Sequence, residues 1–598
     1  MMYYSKKLKE MSNAVRSAAL QSIISARSGH VGIALGAADI VSDIFANFLR
    51  RGTDRFVLSA GHGSALLYAV LHLAGYELPP LNSFRKVGGL PGHPEFGIPG
   101  VFATTGPLGQ GIGNAAGLAL AAKLRKGDGR VYCLCSDGDL MEGVAQESIA
   151  FAGRYKLNNL ILIWDDNGIS IDGAALTDID VPTRMEAAGW HVMSIDGHDF
   201  EQITDALEDA GDCDMPVFIQ AKTTLGRGSS AAGTPRAHGL GLDMAELERL
   251  ASEFETEKGI SLWGQVAAAS KNGGSDIQAW TTPDVSGLEM TWDAGVAVST
   301  RELSGRFLEK LMGRGGDLIV GSADLGGSTN VKGAFTHDIM PGEFIGNYIN
   351  YGVREHAMGA VMNGLAAAGM RPVGATFLAF SDYMRPSIRL AALSGLPVTY
   401  VFTHDSIAVG EDGPTHQPIE QLPSLRLMPN LNVFRPCNGA EIAFAWTYAM
   451  SDTACPSCIV LSRQKVMQIA APEDADLSRG AYIIKPASGR RVRATIVATG
   501  AEVPLAVSVA GILGDDIQVV SMPCVSIFRA QSDEYKKKIL RGYVVAIEAA
   551  AATPWFEFAD AVVGIDEFGI SGDGASVYAR CGFDAETIAR QIKDSLDK

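Results

Sequence analysis

The sequence contains no run of eighteen apolar residues, so no helix of it is expected to cross a bilayer. It is also short of basic residues. Lys and Arg number 50 against 67 Asp and Glu, for a formal net charge of −17. That balance argues against nucleic acid or an anionic membrane as partner, since both need a broad basic face. It leaves room for small anionic substrates, because a local cluster of Arg and His can oppose the global sign. Cysteine is scarce, eight in 598 residues, and no metal-ligand spacing is read among them. A reduced, cytoplasmic chain is the expectation. Cys133 and Cys135, two residues apart, are expected on one face of a strand. Low-complexity tracts and short repeats are absent. The N-terminal stretch MMYYSKKLKEMSNAVRSAAL lacks the unbroken apolar core of a signal peptide and reads as an amphipathic helix.

What is present is an ordinary globular composition, 47% hydrophobic and 20% charged, in a chain too long for one core. Short apolar runs alternate with helical patterns, the signature of α/β domains with mostly parallel sheets. In the first third, 131–136, 160–165, 190–195 and 216–221 read as buried parallel strands, with a helix over 110–126. A polar stretch, 270–289, reads as a linker. A second strand set covers 317–324, 372–377, 397–404 and 431–436, and a second break lies near 471–480. The last set covers 494–500, 517–523 and 543–549.

Two blocks carry the chemistry. The first is SDGDLMEG (136–143), followed by the Asn of DDNGIS (165–170). Mg²⁺ wants six hard oxygens, few of them from protein and the rest from phosphate and water. Asp137 and Asn167, each at the end of a strand, with the carbonyl of Ile169, meet that need, and Ca²⁺ could take the same place. Gly138 lets the backbone approach a phosphate without a Cβ in the way. The loop TTGPLGQGIG (104–113) opens a helix, whose free N–H groups suit a diphosphate. An isolated Asp-Gly reads as a turn; the later Asn and the Gly-rich helix start make it a clamp.

The second block is YGVREHAMGA (351–360). Glu355 opens a helix, where a carboxylate ordinarily serves the helix dipole. Its company suggests more. The stretch ATFLAFSDY (375–383) offers Phe377, Phe380 and Tyr383 as a wall for a flat ring. A buried carboxyl group with a raised pKa could hold a proton on the aminopyrimidine of thiamine diphosphate and so activate it.

With these residues in place, the chain resembles the transketolase family over nearly its whole length. The blocks SGHVG (28–32), SAGHGS (59–64), PGHPE (91–95), TTGPLGQGI (104–112), KTTLGRG (222–228), AHG (237–239), GSADL (321–325), THDSIAVGEDGPTHQPIE (403–420) and LSRQ (461–464) follow the family's order. The resemblance implies a diphosphate-binding domain over 1–285, a pyrimidine-binding domain over 293–470 and a C-terminal domain over 484–598, stacked as three α/β domains. It implies that His62, Gly106, Leu108, Gly138 and His238 line the cofactor, with Asp324 near the thiazolium. Glu142 should face Glu355 across a homodimer interface that carries the active sites. His30, His93, His404 and Asp412 should surround the sugar hydroxyls, with His30, His238 and His404 beside Glu355 as the catalytic set. Arg301, Ser328, His416 and Arg463 should hold the sugar phosphate.

The implied activity is transfer of a two-carbon ketol unit from xylulose 5-phosphate to ribose 5-phosphate or erythrose 4-phosphate, in the pentose phosphate pathway. A dihydroxyacetone synthase accepting formaldehyde and a non-catalytic thiamine-binding paralogue are the alternatives. Val31 stands where the family usually has Pro, and Gly326 and Gly327 precede Ser328 where a Pro is common. Segments near 173–182 and 270–295 are short for the family.

Overall fold

In the computed structural model, the described residues are 2–175, 179–270, 282–451, 454–489 and 491–597. Most of the expected linker, and part of the segment near 173–182, lies outside them. The chain divides into two compact units. The first holds residues 1–279, 339–345 and 356–369; the second holds 280–338, 346–355 and 370–598.

The first unit is built on a five-stranded parallel sheet in the spatial order Arg55–Leu58, Val131–Ser136, Leu160–Asp166, Val217–Lys222, His191–Asp196. Val131–Ser136 is buried along its full length, as expected of a near-continuous apolar run between two layers. Cys133 and Cys135 are both buried and free. The strand His191–Asp196 departs from expectation. It lies at the sheet edge and is half-exposed, because only one neighbour covers it. The N-terminal helix forms as Ser5–Ala26 and buries Leu8, Met11, Val15, Leu20 and Ile23 in the core. The helix Gln110–Leu124 crosses the segment 356–369 at contact distance. A Cβ on Gly117 would lie 2.1 Å from the Val361 carbonyl, and one on Gly364 2.0 Å from that of Asn114. Glycine is required at both crossing points.

The second unit contains two larger sheets. One is parallel, in the order Asn432–Phe434, Ser457–Leu461, Thr399–Thr403, Arg371–Phe377, Leu318–Ser322, Tyr348–Asn350. The other runs Tyr482–Lys485, Ile517–Ser521, Ala494–Ala498, Tyr543–Ile547, Ala561–Val563, with only the first strand antiparallel. Arg55–Leu58 and Ser457–Leu461 add to the expected strands. Each is too short to show a period. Ser457–Leu461 also corrects the cysteine reading, since Cys455 and Cys458 do stand in C-x-x-C spacing. Cys458 is sealed in the strand, and Cys455 Sγ accepts from the Asn432 amide at 3.1 Å. Among the described residues no group of three or more His, Cys, Asp or Glu is placed to hold a metal by itself.

Candidate active site

In the first unit the carboxyl ends of the parallel strands open onto a cavity of about 750 Å³, where ligands of doubly wound sheets ordinarily sit. Four of the expected histidines converge on it. His30 precedes the short helix Val31–Gly36, His62 sits in the turn after Arg55–Leu58, and His238 follows the turn Pro235–Ala237. The His30 ring lies 5.3 Å from His62, 5.4 Å from His238 and 6.1 Å from His93, centroid to centroid. Val31 N–H donates to the Gly239 carbonyl, tying the His30 and His238 loops together. Burial and the neighbouring His238 lower the His30 pKa to about 4, and the same causes lower His62 to about 3. Both are therefore neutral imidazoles at pH 7, able to accept a proton. Arg85, which no sequence signal singled out, donates to His30 Nδ1 at 3.3 Å and to Ser28 at 2.6 Å.

The clamp lies at the same cavity. Ser136 caps the turn that carries Asp137, and Asp139 completes a capping box. Asp139 is fully buried and accepts from Gly109 N–H at 2.7 Å and Ser59 at 2.6 Å, which fixes the glycine loop to the clamp. Gly109 has φ +79°, and a Cβ there would meet Glu142 at 2.8 Å. Asp137 is 1% exposed, yet neither carboxylate oxygen has a hydrogen bond of normal geometry. Burial, then Asp165 and Asp166, raise its pKa to about 7. A sealed carboxylate without a donor is unfavourable unless a cation meets it. Asn167, held by its amide to Asp165 at 3.1 Å, stands on the cavity wall with Ile169. This donor set fits a hard divalent cation that draws its remaining oxygens from a diphosphate and water. Gly106, Leu108, Gly138 and Glu142 line the same cavity.

In the second unit Glu355 is 8% exposed and accepts from Thr376 at 3.2 Å. Burial raises its pKa. Phe377 and Phe380 stack at 6.1 Å, and Tyr383 follows at 6.3 Å. His404 lies 3.6 Å from Phe377, and His416 lies 5.1 Å from Phe380. Burial, then the positive fields of Arg301, Arg463 and His416, lower His404 to about 3. These four side chains thus share one electropositive neighbourhood. Arg301 donates to the Ser328 carbonyl at 2.6 Å, and its Nε has no partner. Arg463 donates to the Val409 carbonyl at 3.1 Å. Asp324 is exposed, with φ +63°, on the loop after Leu318–Ser322, and Asp412 is exposed at the end of the turn Ile407–Asp412.

Comparison with known proteins agrees with this geometry. Residues 7–281 match the transketolase thiamine diphosphate binding domain and 296–468 the transketolase pyrimidine binding domain. Residues 480–584 match a transketolase-like C-terminal domain. A transketolase of Cereibacter sphaeroides is 41% identical over 652 residues, with 98% of each chain covered. One of Rhodobacter capsulatus is 39% identical, again with 98% of each covered. A mutant transketolase from Pichia stipitis, solved in complex with xylulose 5-phosphate, aligns with a TM-score of 0.93 at 34% identity, covering 99% of this chain and 98% of that one. The chain therefore belongs to the transketolase family of thiamine diphosphate-dependent, ketol-transferring enzymes.

Proposed function

We propose that the chain moves a two-carbon ketol unit from xylulose 5-phosphate to ribose 5-phosphate or erythrose 4-phosphate, serving the pentose phosphate pathway in the cytoplasm. The observation that carries this reading is Asp137, a sealed carboxylate with no hydrogen bond of normal geometry, set between Ser136 and Gly138 on the wall of a cavity lined by four histidines. Xylulose 5-phosphate is the ligand of the Pichia stipitis relative, which supports the choice of donor.

Asp137, Asn167 and the Ile169 carbonyl would hold a divalent cation, which would supply positive charge to the diphosphate. Bound thiamine diphosphate supplies a carbon nucleophile and a sink for the electron pair released when a carbon–carbon bond breaks. Glu355, its pKa raised by burial, keeps a proton on the pyrimidine ring nitrogen. Phe377, Phe380 and Tyr383 stack against that ring. His30, His238 and His404 are the proton acceptors for the sugar hydroxyls, and their lowered pKa values keep them unprotonated at pH 7. His93 and Asp412 bind hydroxyls, and Asp324 lies beside the thiazolium. Arg301, Arg463, His416 and Ser328 take the phosphate, for which a guanidinium fork is well shaped.

Domains over 1–285, 293–470 and 484–598 serve these roles. The working unit is a homodimer in which the clamp of one subunit meets Glu355 of the other, with Glu142 beside it. Cofactor-stripped protein should be inactive with xylulose 5-phosphate and ribose 5-phosphate, and should recover only with both thiamine diphosphate and a divalent cation. Full activity without them refutes the reading. Preference for formaldehyde as acceptor would make the chain a dihydroxyacetone synthase instead. For the shared site, inactive Asp137→Ala and Glu355→Ala chains are co-refolded. Half the dimers are then mixed, each with one intact site, so roughly a quarter of activity returns. No return in confirmed mixed dimers refutes the shared site.

A further inference from the structure

His404 sits in an unusual backbone state. It ends the strand Thr399–Thr403 with φ +61°, in the left-handed region that a side chain rarely adopts. The residue is 4% exposed, with Nδ1 2.8 Å from the Thr403 hydroxyl. Such a conformation persists only when its surroundings over-determine it.

The two residues after His404 are held by Arg435, from just beyond Asn432–Phe434, and by Tyr578, from the helix Gly574–Arg580. Asp405 is 2% exposed, and its Oδ2 accepts from Arg435 Nε at 3.0 Å, with Nη2 at 2.8 Å. Arg435 is fully buried. Its Nη1 donates to the Thr499 carbonyl at 3.2 Å, to the Thr499 hydroxyl at 3.1 Å and to Glu502. Glu548 lies 3.5 Å away. The Tyr578 hydroxyl stands between Ser406 Oγ at 3.0 Å and Glu502 Oε1 at 2.8 Å.

Thr499 and Glu502 come after the strand Ala494–Ala498, and Glu548 comes after Tyr543–Ile547. These are the carboxyl ends of adjacent parallel strands, where a doubly wound sheet ordinarily receives its ligand. Here the Arg435 guanidinium, from just beyond Asn432–Phe434, fills that crevice. The C-terminal sheet therefore gives its binding crevice to a side chain of this chain, and the other face of that side chain grips the residue after His404.

We propose that the C-terminal domain is a positioning element for His404. Arg435 holds Asp405, Tyr578 holds Ser406, and the two contacts together fix the left-handed turn that presents the imidazole. Arg435 and Tyr578 act through His404 and touch no substrate. The proposal rests on the reading of His404 as a proton acceptor for the sugar.

The test is a double-mutant cycle on steady-state ketol transfer, with thermal unfolding of every variant measured alongside. Tyr578→Phe removes one oxygen and is expected to fold; Arg435→Lys keeps the charge but loses the fork. Each is made alone and with His404→Ala. Tyr578→Phe alone should lower kcat about fivefold, with KM for the donor within about twofold, and should change nothing further in the His404→Ala background. Arg435→Lys, where it folds, should show the same pattern with a larger loss. An equal loss from Tyr578→Phe in both backgrounds, or no loss with His404 intact, overturns the coupling and leaves the role of His404 standing. An unchanged kcat in His404→Ala alone overturns that role, and the coupling with it.

Discussion

Asp137 and Glu548 are both carboxylates sealed from bulk water, and the chain treats them in opposite ways. Glu548 accepts a two-pronged contact from Arg426 at 2.7 and 2.9 Å, the Trp555 indole N–H at 2.7 Å and the Thr499 hydroxyl. Burial pushes its pKa up, but Arg426 and Arg435 outweigh burial and hold it at about 2. Asp137 has no hydrogen bond of normal geometry, and burial beside Asp165 and Asp166 raises it to about 7. A saturated buried charge is part of the architecture. An unsaturated one marks a place where something from outside the chain belongs.

The comparison can be broken at either end. Arg435→Ala strands Asp405 and Glu502 in the interior, and should lower unfolding free energy by about 3–5 kcal/mol. Denaturant titration of the second unit's transition measures it, and a loss below about 1 kcal/mol would show that water already screens the cluster. Asp137→Ala should do the reverse. Turnover should fall at least about a hundredfold, since even indirect supports of a metal site cost that much. The cofactor-free protein should melt close to wild type, because no hydrogen bond of normal geometry is lost. A large drop in its melting temperature would mean that Asp137 has partners within the fold.

A smaller effect is expected at Arg463, whose side chain is 42% exposed. Exposure screens its charge, so Arg463→Ala should weaken apparent binding of phosphorylated donors by about 1.5 kcal/mol, the low end for a charged hydrogen bond. Hydroxypyruvate, which has no phosphate, should be little affected, and equal losses with both donors would remove Arg463 from the phosphate site. The smallest effect concerns His62, whose pKa burial lowers to about 3. The unfolded chain takes up a proton near pH 6.5 that the folded chain refuses, so stability is lost as pH falls from about 6.5 toward 3. His62→Gln should flatten that slope by less than one proton, and an unchanged slope would show that His62 titrates normally.

The arrangement of α/β layers was legible because strands buried on both faces are written as continuous apolar runs, as at Val131–Ser136 and Thr399–Thr403. Edge strands are not written that way. His191–Asp196 looks like its neighbours in sequence and is half-exposed in the fold, since position within a sheet is a property of topology. The chemical blocks were legible for a different reason. Asp137, Asn167 and Glu355 each stand at a strand or helix end, where residue type and position can be read together, while the histidine roles followed from the family resemblance.

Supporting residues left no such trace. Arg85 reaches His30 across 55 positions, and Thr376 reaches Glu355 across 21. The sequence by itself determined the layered fold and pointed to an acidic clamp, because local pattern and residue chemistry suffice for these, while the candidate proton acceptors came from the family resemblance. Only the tertiary structure decided that Asp137 has no hydrogen bond of normal geometry while Glu548 has several, and that Arg435 fills the C-terminal crevice beside Asp405. Whether a buried charge is satisfied depends on side chains brought together from distant segments, and no local pattern encodes that meeting.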